Sequence, residues 1–96
     1  MVVFYLALID NEQDQLKFEN LYNQYRKQML SLAQSILHNT FDAEDAVHEA
    51  FLGIARNMPS VNKIANETDI KNYLLKSAKN ASLNILSKKK EAISNS

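Results

Sequence analysis

The residues best suited to chemistry lie near the middle of the chain, where carboxylates and an imidazole recur at helical spacing. Glu44 and His48 are four residues apart, and Asp45 and His48 are three apart, so either pair could share a metal ion on a helix. A zinc protease would need a second histidine where the chain has Leu52, and a di-iron bundle would need a second Glu-x-x-His copy. The sequence has neither. We therefore predict no metal site.

Other catalytic arrangements are also missing from the sequence. The chain has no cysteine, no Gly-x-Ser-x-Gly motif and no glycine-rich phosphate loop. Its single glycine, Gly53, lies within a helical pattern, where we expect another helix to pack closely against it. The sequence thus predicts a protein that is not an enzyme and that uses no cofactor.

The same central segment predicts a protein-binding patch. Asp45, His48, Glu49 and Leu52 fall outside the apolar stripe of their helix, at spacings that place them together. A mixed acidic and apolar patch suits a partner that presents a basic helix. An ordinary solvated helix face is the alternative interpretation.

The last part of the chain carries the opposite charge. Residues 1–58 hold eight acids and four bases, whereas residues 59–96 hold three acids and seven bases. Lysines can neutralise phosphates, and an asparagine beside them can read a base edge, so this segment favours a nucleic-acid surface. Its members on the last helix include Lys76, Lys79, Asn80 and Asn84. A lysine-rich face that is merely solvated is again the alternative.

Long helices are needed to hold these surfaces. Apolar residues recur at three- and four-residue steps from Asp14 to Leu37, which predicts a long amphipathic helix. A second helix is predicted from an N-cap at Asp42 up to Pro59, which should stop it. A loop should follow over residues 59–69.

A third long helix is predicted to start near Thr68, a residue type suited to an N-cap, and to end at Lys88–Lys90, where cations suit the helix dipole. The 96 residues, 46% of them hydrophobic, form one domain that can bury a core. We predict an all-α, compact bundle of three to four helices over residues 14–90. An arm or short helix over residues 1–13 should precede it, and a flexible tail over residues 91–96 should follow.

The opening apolar run, residues 2–9, is too short to span a membrane and makes a poor signal peptide. The absence of cysteine fits a reducing compartment. The sequence therefore predicts a cytoplasmic protein without membrane contact.

Three segments in a fixed order carry a more specific pattern, namely Phe18–Tyr22, Asp42–Phe51 and Tyr73–Ala81. Together they resemble region 2 of a sigma-70-family RNA polymerase sigma factor, closest to the extracytoplasmic-function type. The resemblance covers the chain from about Lys17 to Lys90. It implies a transcription initiation factor domain that binds core RNA polymerase and that recognises and melts the promoter minus-ten element.

The resemblance assigns a partner to each surface. The second helix would dock on the clamp helices of the polymerase beta-prime subunit through the patch described above. The loop and the last helix would hold the single-stranded minus-ten non-template strand, with one base flipped out. The residues that match this part are Asn62, Lys63 and Asn66 in the loop, and Lys76, Lys79, Asn80 and Asn84 on the helix. Asn80 is the best candidate for a base contact.

The chain departs from the family pattern at His48, Tyr73 and Asn84, where glutamine, tryptophan and aspartate are usual. No segment after Lys90 could supply the helix-turn-helix of region 4, so we expect a fragment of a longer factor, with a lone region-2 protein as the alternative. The family also admits an anti-sigma factor as a partner. One alternative is a helical protein-interaction module without nucleic-acid binding. Another is a repressor-like domain with its last helix in the major groove, which the long preceding loop disfavours.

Overall fold

The computed structural model describes residues 2–94, the side chain of Ser94 excepted, and these residues fold into five helices. The helices are α1 (Val2–Leu6), α2 (Glu12–Leu37), α3 (Thr40–Arg56), α4 (Met58–Val61) and α5 (Glu67–Ser94). No strand occurs within residues 2–94, and the predicted all-α fold class is confirmed.

The three long helices, α2, α3 and α5, all pack against one another. Their shared core contains Phe18 and Met29 of α2, Phe51 and Ile54 of α3, and Leu74 of α5, all essentially inaccessible to solvent. The domain measures 47 × 26 × 20 Å. Its long dimension reflects α5, because 28 helical residues span about 42 Å.

Each long helix begins at an asparagine that is followed three residues later by an aspartate. The asparagine Oδ1 accepts a hydrogen bond from the backbone N–H of that aspartate. The pairs are Asn11 with Asp14 at 2.8 Å, Asn39 with Asp42 at 3.0 Å, and Asn66 with Asp69 at 2.9 Å. These bonds satisfy amide groups that a helix start leaves without an intrahelical partner.

Two predicted N-caps are therefore wrong. Asp42 is the third residue of α3, and its carboxylate forms an ion pair with Lys89 of α5. Thr68 lies inside α5, because Asn66 already caps that helix. Aspartate and threonine are both good capping residues, so propensity alone could not separate them from the asparagine upstream.

The predicted effect of Pro59 is also wrong. Helix α3, the predicted second helix, ends at Arg56. Pro59 lies in the first turn of the short helix α4, where a missing amide hydrogen costs nothing. The loop before α5 accordingly shortens to residues 62–66.

The last helix continues through Ser94 instead of ending at Lys88–Lys90. Part of the predicted tail is thus helical. Residues 95–96 of that tail lie outside the described residues.

Gly53 does not serve as a packing site. It is exposed on α3, and no side chain or other segment comes within 4 Å of the place where a Cβ would lie. The expected close approach of another helix is wrong. Within residues 2–94, no helix is both long and apolar enough to cross a membrane.

Candidate functional site

The four residues of the predicted protein-binding patch on α3 differ in their exposure to solvent. Asp45 and Glu49 are exposed, and Leu52 is half-buried. Steps of four and three residues place these three on one side of the helix, with neighbouring Cβ atoms about 5–6 Å apart. We call Asp45, Glu49 and Leu52 the acidic surface.

His48, the fourth predicted member of the patch, contacts α1. The Tyr5 hydroxyl lies 2.7 Å from Nδ1 of His48, and the Phe4 ring centroid lies 5.7 Å from that of the imidazole. The tautomer of the imidazole decides which atom donates: the Tyr5 hydroxyl donates when Nδ1 carries no hydrogen. The half-buried histidine thus fastens α1 beside the acidic surface.

Tyr5 anchors the other side of this contact. It is buried, and its ring centroid lies 5.5 Å from that of Phe18 and 5.8 Å from those of Tyr22 and Phe51. Burial, reinforced by the Tyr22 hydroxyl and opposed by Arg26, raises the pKa of Tyr5 to about 12. The hydroxyl therefore stays protonated near neutral pH and remains able to donate.

The predicted nucleic-acid residues on α5 share one exposed side. Lys76, Lys79, Asn80 and Asn84 are all exposed, and steps of three and four residues relate them along the helix. We call these four residues the basic surface. The buried side of α5 includes Leu74, Ala78 and Ala81, so the basic surface faces away from the core.

The loop residue Asn62 uses its amide within the domain. Its Oδ1 accepts from Nζ of Lys17 at 3.0 Å, and its Nδ2 donates to Oδ1 of Asp14 at 2.9 Å. Both partners lie at the start of α2. The predictions from sequence missed Asp14 and Lys17, because contacts 48 and 45 residues apart leave no local spacing to detect.

The other two predicted loop residues, Lys63 and Asn66, differ in what their side chains do. Asn66 is occupied as the cap of α5, and its Nδ2 also donates to Oδ2 of Asp69 at 2.9 Å. Lys63, between the two asparagines, is exposed. Asn62 and Asn66 thus use their side-chain amides for hydrogen bonds within the domain, whereas Lys63 takes no part in those bonds.

The contacts that these surfaces offer are ionic and hydrogen-bonding ones. Within the part of the chain that the structure describes, no group of three or more His, Asp or Glu side chains is arranged to hold a metal ion. Exposed carboxylates on α3 and exposed ammonium and amide groups on α5 suit binding to large charged partners.

The fold is that of an all-α domain with exposed charge on two of its long helices. The family model described as Sigma-70 region 2 matches residues 21–92, from within α2 almost to the end of α5. The chain therefore belongs to the sigma-70 region 2 family and is a sigma factor domain that acts in transcription initiation. No curated protein and no solved structure matches the chain. The matched range leaves out α1 and the first turns of α2, including Asp14 and Lys17.

Proposed function

We propose that this domain binds core RNA polymerase through the acidic surface and single-stranded promoter DNA through the basic surface and the loop at residues 62–66. The observation that carries the proposal is the separation of exposed charge onto two helices. Asp45 and Glu49 are exposed on α3, whereas Lys76 and Lys79 are exposed on α5. Because α3 and α5 pack together through their buried sides, the two exposed sides can serve different partners at once.

The polymerase side of the proposal assigns the acidic surface to the clamp helices of the beta-prime subunit. Two carboxylates one helical turn apart suit a partner helix that carries lysine or arginine. Leu52, half-buried beside them, offers the apolar contact that a stable interface needs at its centre. His48 lies at the edge, where it holds α1 and so shapes the border of this surface.

The DNA side of the proposal assigns the basic surface to the minus-ten non-template strand. Lys76 and Lys79 would neutralise backbone phosphates, while Asn80 and Asn84 offer amide donors and acceptors to base edges. Unpairing a base costs a few kcal/mol, and contacts to the separated strand can offset that cost. Lys63 adds a cation from the loop side.

Titration of the full chain with two separate ligands tests the proposal. One ligand is the isolated clamp-helix segment, and the other is a randomised single-stranded DNA pool of about ten nucleotides, sequenced after enrichment. We expect both to bind, together as well as singly. Affinity for DNA should fall between about 50 and 200 mM salt, with each phosphate contact adding about 0.7 to the log–log slope.

Two results would contradict this assignment. Failure to bind the clamp-helix segment would remove the polymerase role of the acidic surface. DNA binding that is absent, or insensitive to salt, would favour the alternative of a protein-interaction module without nucleic-acid binding.

A further inference from the structure

The loop before α5 is hydrogen-bonded to α2 through the Asn62 side chain, while Ile64 of the same loop packs half-buried against the core. The Asn62 amide is held from two sides, by Lys17 at Oδ1 (3.0 Å) and by Asp14 at Nδ2 (2.9 Å). Asp14 and Lys17 lie three residues apart, hence on one side of α2. A base that sought both ends of this amide would have to displace both partners.

Asp14 is itself held in place by the cap of α2. Nδ2 of Asn11 donates to Oδ2 of Asp14 at 2.9 Å, while Oδ1 of Asn11 accepts from the Asp14 backbone N–H at 2.8 Å. The second carboxylate oxygen, Oδ1, is the one that receives Asn62. The carboxylate is therefore oriented toward the loop before any ligand arrives.

The rest of the loop is fixed by backbone bonds and by its far end. The backbone N–H groups of Lys63 and Ile64 donate to the carbonyls of Ser60 and Val61, each at 3.1 Å. At the far end, Asn66 caps α5. The exposed Lys63 thus sits between two anchored asparagines.

We propose that Asn62 is a positioning residue: Asp14 and Lys17 hold the loop on α2 through it, so that Lys63 and the start of α5 meet a single strand in a fixed geometry. A loop ordered in advance loses less conformational freedom on binding, which raises affinity. This inference rests on the proposed nucleic-acid function, and it changes the role of Asn62 from base reading to loop placement. Asp14 and Lys17, the partners of Asn62 on α2, lie outside the range matched by the family.

Asp14→Ala tests the proposal because charge and positioning predict opposite results. Removing an acid should by itself strengthen binding to DNA. Loss of the Asn62 contact should weaken it by about fivefold, which corresponds to about 1 kcal/mol for one hydrogen bond. The probe is the same randomised single-stranded pool, titrated against the full chain. Glu12→Ala is the matched control, since Glu12 carries the same charge in the same first turn but is not a partner of Asn62.

A second measurement does not depend on DNA. Hydrogen exchange of the free protein should show the backbone amides of Lys63 and Ile64 exchanging several-fold faster in Asp14→Ala and Asn62→Ala than in Glu12→Ala. Circular dichroism and urea unfolding of each variant check that the helices remain folded.

The outcomes separate the possible roles. If Asp14→Ala binds the pool as tightly as Glu12→Ala, the positioning role is overturned. If Asn62→Ala alters the enriched sequences while Asp14→Ala does not, Asn62 reads a base directly and the proposal is also wrong. If the unsubstituted chain fails to bind the pool, the proposed nucleic-acid function falls and this role with it. In that case the exchange data still show separately whether Asp14 holds the loop.

Discussion

The helices α3 and α5 use their surfaces in opposite ways. Seven of the 17 residues of α3 are buried, and this helix packs against all four of the others. On the 28-residue α5, only Ile70, Leu74, Ala78, Ala81 and Ser82 are buried among the described side chains. Helix α3 thus leaves a narrow exposed side, whereas α5 leaves most of its surface exposed.

This difference matches the kinds of partner that each helix is proposed to bind. A narrow side backed by a packed core keeps Asp45 and Glu49 in a fixed relation, which suits recognition of another folded protein. A long exposed helix can distribute cations along a strand, and changing one of them disturbs little packing. Substitutions on the two helices should therefore separate the two binding activities.

The largest expected effect is that of Glu49→Lys on polymerase binding. A lysine here would face the basic partner helix with a like charge, and we expect affinity for the clamp-helix segment to fall about 30-fold, or about 2 kcal/mol. DNA binding should not weaken, because the change adds positive charge away from α5. Fluorescence titration of both ligands measures the two effects side by side.

Two further variants show whether position or net charge is responsible. Glu49→Gln should give a smaller loss, since it removes a favourable charge without adding a repulsive one. Glu12→Lys makes the same change in net charge at another exposed site and should leave clamp-helix affinity nearly unchanged. Equal losses from Glu12→Lys and Glu49→Lys would contradict a specific acidic surface.

On α5, Asn80→Ala should reduce affinity for the enriched oligonucleotide about tenfold and for a scrambled one much less. The reason is that the Asn80 amide can pair with the donor and acceptor groups of one particular base. A scrambled sequence places a different base at that position. Lys79→Gln is the matched comparison. It should weaken binding to both oligonucleotides alike and lower the slope of log affinity against log salt concentration by about 0.7. Equal losses on both oligonucleotides for Asn80→Ala would make Asn80 a backbone contact.

The main architecture could be predicted from the sequence because it depends on periodic apolar residues. Phe18, Leu21, Tyr25 and Met29 recur at three- and four-residue steps, and all are buried on α2. The same reasoning separated the exposed lysines of α5 from its core positions. Periodicity reports which side of a helix is buried, and that side is settled by packing.

Helix boundaries were predicted less well, although part of the signal was present. The pattern Asn-x-x-Asp occurs at all three long helix starts, at Asn11, Asn39 and Asn66. Reading Asp42 as a cap overlooked the asparagine three residues before it. The short helix α4 could not be inferred from Pro59 alone, since proline is as well suited to a first turn as to a helix end.

The candidate site shows a different limit. Exposure of Glu49 and of the α5 lysines follows from local spacing. The contacts of His48 with Tyr5 and of Asn62 with Asp14 join residues 43 and 48 positions apart, and no local pattern encodes them. These are the contacts that the sequence predictions for His48 and Asn62 did not include.

Tyr5→Phe tests whether α1 affects only the protein-binding side of the comparison. The variant loses the hydrogen bond to His48 and should be less stable by about 1 kcal/mol in urea unfolding near neutral pH. Clamp-helix affinity should fall slightly, and DNA affinity should not change, because α1 packs on α2 and α3 rather than on the basic surface.

The effect of Tyr5→Phe should also depend on pH. The pKa of Tyr5 is raised from 10.0 to about 12 in the folded chain, so folding favours the protonated hydroxyl. The stability that depends on this group is complete below pH 10.0 and is lost as pH rises through about 12. The difference in urea midpoint between the unsubstituted chain and Tyr5→Phe should therefore become smaller at high pH. A difference that stays constant would contradict the burial of the Tyr5 hydroxyl.

Gly53→Ala should have the smallest effect and the opposite sign. Because Gly53 is exposed within α3 and has open space where a Cβ would lie, alanine should stabilise the helix by about 0.5–1 kcal/mol. The urea midpoint measures this gain, and a loss of stability would mean that the added methyl meets a neighbour after all. Gly53 follows Glu49 by four residues, so the methyl group would lie beside the acidic surface. Unchanged clamp-helix affinity is expected if the partner binds through Glu49 and Leu52. Weaker binding by a more stable protein would show instead that the partner's backbone approaches α3 at Gly53, and the glycine would then serve the interface rather than the fold.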